Sequence, residues 1–249
     1  MATDFFDCSG MLGKRRIMHP GSFYKTGEYT RKMEYYGIGR SLVCHSMAAG
    51  YDAAAGNEIL SDEIKNYPEL SATWAVKPHH MGDFFKPGEL RAQMKLNNVK
   101  SVRVYPSGRN HNFSVSHYGE LFGMLADCKV PVIADSEQVS FEVASGILSD
   151  FPGLRLIITK LHFGQGNHLY PIMEKHENLY LEVIGLKIYT GIEDVAKRFG
   201  AGRIVFGSSA PLYSGASAVG MVTYANISDD EKEMIAHGNL ERLLGEVTL

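Results

Sequence analysis

The chain has 249 residues, of which 45% are hydrophobic and 21% charged, with a formal net charge of −3. That length suits one large α/β domain, and the charge excludes the broad basic surface of a nucleic-acid binder. No run of about 18 apolar residues marks a transmembrane helix, and the opening Met1 to Asp7 lacks the basic and apolar regions of a secretory signal. Three widely spaced cysteines, Cys8, Cys44 and Cys128, fit a reducing compartment better than a disulfide framework. A cytoplasmic protein without nucleic-acid or membrane partners is expected.

Short apolar runs recur along the chain. The first is Asp4 to Asp7. A long segment from Met11 to Arg40 follows, basic at Lys14, Arg15 and Arg16 and rich in Gly and Tyr. It is read either as a loop covering a site or as a surface excursion with a short helix near Thr30 to Tyr36. Arg40 to Cys44, Ser71 to Val76 and Ser101 to Tyr105 are the next three runs. Tyr118, Leu121, Phe122 and Leu125 then recur at helical spacing and predict a helix with one apolar face ahead of the fifth run, Val130 to Ala134. Val143, Ile147 and Leu148 predict a similar face ahead of the sixth, Leu154 to Ile158. Leu179 to Val183 and Arg203 to Phe206 complete the series. Thr190 with Glu193, and Ser228 with Glu231, have capping-box spacing, while Gly200, Gly202 and Gly245 stand where helices stop.

Eight runs roughly 24 to 36 residues apart, alternating with helical segments, match the length of strand-helix units. Such alternation favours parallel pairing, because each helix carries the chain back to the same end of the sheet. No Pro/Gly/Ser-rich linker divides the sequence. The expected fold is α/β, a single (β/α)8 TIM barrel spanning residues 1–249.

In that fold reactive groups stand at the carboxyl ends of the strands. The strand ends here carry Asp7, Ser9, His45, Lys77 and His79, then Arg103, Tyr105, Asp135 and Glu137, and finally Lys160, His162, Glu182, Ser208 and Ser209. Asp135 is read as a general base, with helix capping as its structural alternative. Arg103 and Lys160 are anion clamps, and His162 is an acid or an orienting group. His45, His79, Ser9, Tyr105, Ser208 and Ser209 are the candidate substrate contacts. Asp7 is expected to pair with a cation in the barrel floor. His111, His117, His168, His176 and His237 fall on loops or helix faces and carry no assignment.

The segment Phe5 to Gly13 resembles the opening strand of the amidohydrolase superfamily, in which an apolar strand leads to His-x-His and then Gly. Phe151 to Ile158, followed by His162, Phe163 and Gly164, is similar to that superfamily's sixth strand and its His-x-Gly ending. Arg203 to Ser208, the acidic helix from Ser228 to His237 and the stretch Asn239 to Leu244 resemble its last strand and closing helix. Together these identify the chain as a member of the amidohydrolase-related branch, over nearly its whole length. The resemblance implies a TIM barrel whose mouth holds a metal.

The departures bear on the chemistry. Ser9 and Met11 stand where the family pattern has histidines, Asp135 where it has a metal-bridging His or Lys, and Ser209 where it has Asp. The sixth-strand ligand position falls on Lys160, or on His162 after a two-residue slip. Neutral Ser oxygen and Met sulfur are poor replacements for imidazole on a dication, so no cofactor is expected and the metal site is read as degenerate. The leading expectation is metal-independent acid-base hydrolysis, or a lyase-type step, on a small polar or anionic molecule. Two alternatives stand beside it. One is a catalytically inactive ligand-sensing or partner-binding barrel. The other is a hydrolase with a mononuclear divalent metal on Asp135, His162 and a third group. Tyr24, Tyr29, Tyr35 and Tyr36, expected on the surface of the early loop, suit a homodimer.

Overall fold

Strands and helices alternate along the chain, and every strand pairing is parallel. The computed structural model describes residues 4–18, 21–106, 112–162 and 166–249. His111, Phe163 and Gly164 of the sequence reading lie outside the described residues. The strands are β1 (Phe5–Leu12), β2 (Ile38–His45), β3 (Leu70–Ala72), β4 (Trp74–Val76), β5 (Val102–Val104), β6 (Pro131–Asp135), β7 (Arg155–Thr159), β8 (Leu179–Glu182) and β9 (Ile204–Val205).

They form two ladders, β1-β2-β3 and β4 through β9. The expected third run is thus two strands, and Thr73 is the reason. Its amide donates to Val43 O at 2.8 Å, on β2, while the next amide, of Trp74, donates to Ser101 O at 3.3 Å beside β5. One stave therefore bonds its first half to one neighbour and its second half to the other. At the far edge Cys8 N–H donates to Phe206 O and Met11 N–H to Ala210 O, each at 3.0 Å, which brings the β9 segment back to β1. The expected TIM barrel is the fold.

Alternation along the strands fills the barrel. Phe6, Leu42, Ile133, Ile157, Tyr180 and Val205 form one apolar cluster, closed from below by Leu240 and Leu243 of the last helix. Their neighbours in sequence, such as Val132, Ala134, Leu156, Ile158, Leu179 and Leu181, belong to the larger core beneath the helices. This is the period of two that a strand imposes, applied to a sheet with two buried faces. One step further along the inner face, Ile133 is followed by Asp135, Ile157 by Thr159 and Tyr180 by Glu182. The lining turns polar at the carboxyl ends.

The helix Val115–Asp127 buries Tyr118, Leu121, Phe122 and Leu125 as its spacing predicts. The helix Phe141–Asp150 buries Ile147 and Leu148, but with Ala144 rather than Val143, which is exposed. The early helix runs Thr26–Tyr36 and buries Tyr29 against Ser41, so Tyr29 is core rather than surface, whereas Tyr35 is exposed. Ser228 and Glu231 form their capping box. Thr190 and Glu193 do not: Thr190 has φ +52° and bonds the Tyr189 carbonyl, and Glu193 accepts from the Asn226 amide. Cys8, Cys44 and Cys128 are buried and form no disulfide. Among the described residues no helix is long and apolar enough to cross a membrane.

Helix-helix contact near β2 depends on one glycine. A Cβ at Gly56, in the helix Ala53–Glu63, would stand 2.1 Å from Ala48 N in the preceding helix. Gly56→Ala is expected to lower stability by about 1–3 kcal/mol, although Ala is favoured over Gly by about 1 kcal/mol within an open helix. Urea denaturation midpoints check the sign; a stabilised variant would show that the two helices separate easily.

Candidate active site at the carboxyl ends of the strands

Asp135 is the hinge of the polar layer. It ends β6 and is buried. Its Oδ1 accepts from Arg103 Nη2 and, at 2.5 Å, from Thr159 Oγ1, while Lys160 Nζ donates to Oδ2 at 2.8 Å. Arg103, the middle residue of β5, also donates to Thr159 Oγ1 at 3.1 Å. Burial by itself pushes the Asp135 carboxyl up, but Arg103 and then Lys160 outweigh it and hold the group well below the usual carboxylate range. Burial likewise opposes the Arg103 charge, and Asp135 beside it keeps the guanidinium protonated. Lys160 is the accessible member, its side chain 19% exposed against 4% for Arg103.

A second carboxyl has a different environment. Glu182, fully buried at the end of β8, accepts from the Ser9 and Ser209 hydroxyls on Oε1, the latter at 3.1 Å, and from the Lys160 amide at 2.9 Å on Oε2. Burial pushes its pKa up, and the hydrogen bonds from Ser9 and Lys160 only partly oppose this. Asp7 is similar: burial raises its pKa against hydrogen bonds from Ser208 and Ser9. The expectation that Asp7 pairs with a cation is therefore corrected. Its partners are hydroxyls and amides, because bulged β1 brings Ser9 and the β9 loop brings Ser208 onto it. Ser9 joins the two carboxyls, its hydroxyl also lying 3.3 Å from Asp7 Oδ1 and accepting from Ser209 N–H at 2.8 Å.

The remaining sequence candidates divide. Lys160 and Arg103 do meet Asp135, but Arg103 is turned inward onto that carboxylate. His162, 53% exposed, pairs with Glu137 at 2.9 Å rather than standing in the buried layer. An Asp135–His162 ligand pair is thus not assembled, since each faces a different partner. His45 caps the helix Ser46–Gly50, its Nδ1 accepting from Met47 N–H at 3.1 Å, and lines a separate hollow of about 470 Å³ with Gly13, Tyr24 and Glu63. His79 lies 3.6 Å from Glu120 and against the His80 ring. Tyr105 is buried beside Cys44, its ring 5.7 Å from the Arg103 guanidinium. A groove of about 1030 Å³ bordered by Ser61, Trp74 and Phe85 lies on the flank, apart from these groups. Sequence reasoning gave no role to Glu182 or Thr159. Their signal is the inner-face step from Tyr180 and Ile157.

The two carboxyls should respond oppositely to pH. Asp135, with a lowered folded pKa, contributes stability that is present above its unfolded value of about 3.9 and is lost as pH falls. Glu182, with a raised one, contributes stability that is present below about 4.3 and is lost as pH rises through its folded pKa. Asp135→Asn leaves Arg103 buried without its counter-charge and is expected to cost about 3–5 kcal/mol at neutral pH, shrinking in acid. Glu182→Gln should instead gain on the wild type as pH rises. Denaturation midpoints from pH 2 to 8 test both, Asp135→Asn at the acid end and Glu182→Gln above about pH 4; parallel curves for the two variants would contradict the assignment.

Comparison with known proteins agrees with this architecture. A TIM-barrel protein from Bordetella bronchiseptica superposes with TM-score 0.73 at 19% identity, covering 98% of this chain and 99% of its own. A 5-carboxyvanillate decarboxylase from Sphingomonas paucimobilis gives 0.77 at 12% identity, over 99% and 100%. A dihydroxybenzoic acid decarboxylase from Polaromonas, with bound manganese and the inhibitor 2-nitroresorcinol, gives 0.75 at 13% identity, over 98% and 97%. At such identities the likeness is one of fold. Among curated proteins none matches. The amidohydrolase family model matches residues 47–245, from the helix after β2 to the end of the last helix, and the chain therefore belongs to the amidohydrolase family.

Proposed function

We propose that this barrel is an enzyme acting on a small anionic molecule by metal-independent acid-base chemistry, either hydrolytic or of lyase type. The observation that carries the reading is Asp135 held between Arg103 and Lys160, with Lys160 the more accessible cation. An incoming carboxylate meets Lys160 first. As the ammonium turns to the substrate, Asp135 loses one of its two counter-charges and regains basicity, so the base is unmasked only when the site is filled. Lys160 then neutralises negative charge developing on the substrate, and Arg103 keeps Asp135 aimed. The decarboxylases that the fold resembles are named for aromatic carboxylates, which supports a lyase-type step on an anion of that class.

A resident dication does not suit these residues. The Asp135 carboxylate is already shared by a guanidinium and an ammonium, which would repel a third cation, and Glu182 and Asp7 are surrounded by hydroxyl and amide donors. Among the described residues no group of three or more His, Cys, Asp or Glu side chains is arranged as a metal site. This is the basis for reading the family's metal site as degenerate here, with Lys160 and Arg103 supplying the positive charge.

The test is turnover of chelator-dialysed protein on dihydroxybenzoates, 5-carboxyvanillate, lactones and amides. Conversion without added metal is expected, falling about 10²- to 10⁴-fold in Asp135→Asn, the usual worth of a general base. Activity that arises only on adding manganese would sink the metal-independent reading. Tight binding with no conversion of any compound would favour a ligand-sensing barrel instead.

A further inference from the structure

We propose that Glu182, held by Ser9 and Ser209, is the positioning residue for Lys160, and that Ser136 completes the clamp from the opposite side. The inference rests on the reading of Asp135 and Lys160 as the working pair. Lys160 directly follows β7 and has φ +53°, a left-handed conformation that disfavours a side chain bearing Cβ. Such a backbone persists only where its surroundings over-determine it. Two hydrogen bonds do so here. The Lys160 amide donates to Glu182 Oε2 at 2.9 Å, and Ser136 Oγ donates to the Lys160 carbonyl at 2.7 Å. Glu182 ends β8 and Ser136 follows β6, and these are the two strands that flank β7. The residue is therefore gripped from both neighbours, and its ammonium is delivered 2.8 Å from Asp135 Oδ2.

Glu182 is fixed in turn. Ser9 Oγ and Ser209 Oγ donate to Oε1, and Gly207 leaves the space, since a Cβ there would stand 2.5 Å from Oε1 and 2.8 Å from Ser9 Oγ. With no solvent exposure, Glu182 acts through Lys160 and does not touch substrate. A cation that served only the surface would need none of this. The cradle extends from β1 and the β9 loop, through Glu182, to one lysine.

Limited acetylation with acetic anhydride, read peptide by peptide by mass spectrometry, reports how freely Lys160 leaves its seat. In the wild type Lys160 should react more slowly than Lys65, whose side chain is 68% exposed. Glu182→Ala and Ser136→Ala should each raise its rate about fivefold or more, what one lost hydrogen bond is worth, with Lys65 unchanged. Glu182→Gln, whose amide oxygen still accepts from the Lys160 N–H, should stay within about twofold of the wild type. An unchanged rate in folded Glu182→Ala, or equal increases in the Gln and Ala variants, overturns the proposal. Should Glu182→Ala raise every lysine, as unfolding would, Ser136→Ala decides by the same criterion. Mobilised Lys160 in the variants, with a wild type that converts none of the panel compounds, supports the positioning role and sinks the catalytic reading, so the two fail separately.

Discussion

The carboxylate of Asp135, buried at the polar mouth of a barrel whose lower layer is hydrocarbon, is the constraint to which the mouth of the molecule answers. A charge in that position is costly unless it is paired and hydrogen-bonded on every side. Arg103 reaches it from β5, Thr159 from β7 and Lys160 from the turn beyond β7, so three adjacent strands must keep their register for one side chain to remain ionised. Removing Asp135 would leave both cations without that counter-charge, whereas removing Lys160 would leave Arg103 on the carboxylate. The arrangement gives little net stability against an apolar core of equal volume, which argues that it is kept for what it does.

Beside it, Asp7 and Glu182 meet burial in the opposite way. Neither faces a cation among its hydrogen-bond partners; both are surrounded by hydroxyls and amides, and burial lifts both. At the same end of the barrel, burial and partners thus shift Asp135 in one direction and Asp7 and Glu182 in the other. Ser9 sits between the raised pair with one proton to give. The short contact to Glu182 and the longer one to Asp7 indicate where it goes.

The frame was legible in the sequence because it rests on local signals. Apolar runs at barrel spacing and helices with one apolar face are read directly from hydrophobicity, as Tyr118 to Leu125 illustrates. What escaped was whatever depends on the partner strand. Thr73 splits a continuous apolar run because its amide and the next bond to different neighbours, a fact of geometry and not of residue type. Thr190 and Glu193 have the right spacing for a capping box, but a positive φ turns Thr190 away. The site shows the same division. Asp135, Lys160 and Arg103 could be picked out as strand-end ionisable groups, yet nothing local says that both cations spend their charge on Asp135. Glu182 and Asp7 are likewise legible as strand-end carboxyls, yet nothing local says that their partners are hydroxyls and amides.

The family frame gives these departures a common sense. Ser9 and Ser209 occupy strand-end positions where the family resemblance leads one to expect metal ligands, and a serine is usually read there as a loss. In this barrel both hydroxyls converge on Glu182, and Glu182 takes the backbone amide of the lysine that carries the accessible positive charge. Met11 joins none of this, and its amide instead helps close the barrel through Ala210. A ligand that donates electrons to a metal and a hydroxyl that donates a proton to a carboxylate make opposite demands on the same position. Substituting one for the other would leave a buried Glu182 unsatisfied or a metal undersupplied, so the serines, the carboxyl and the lysine have to change together.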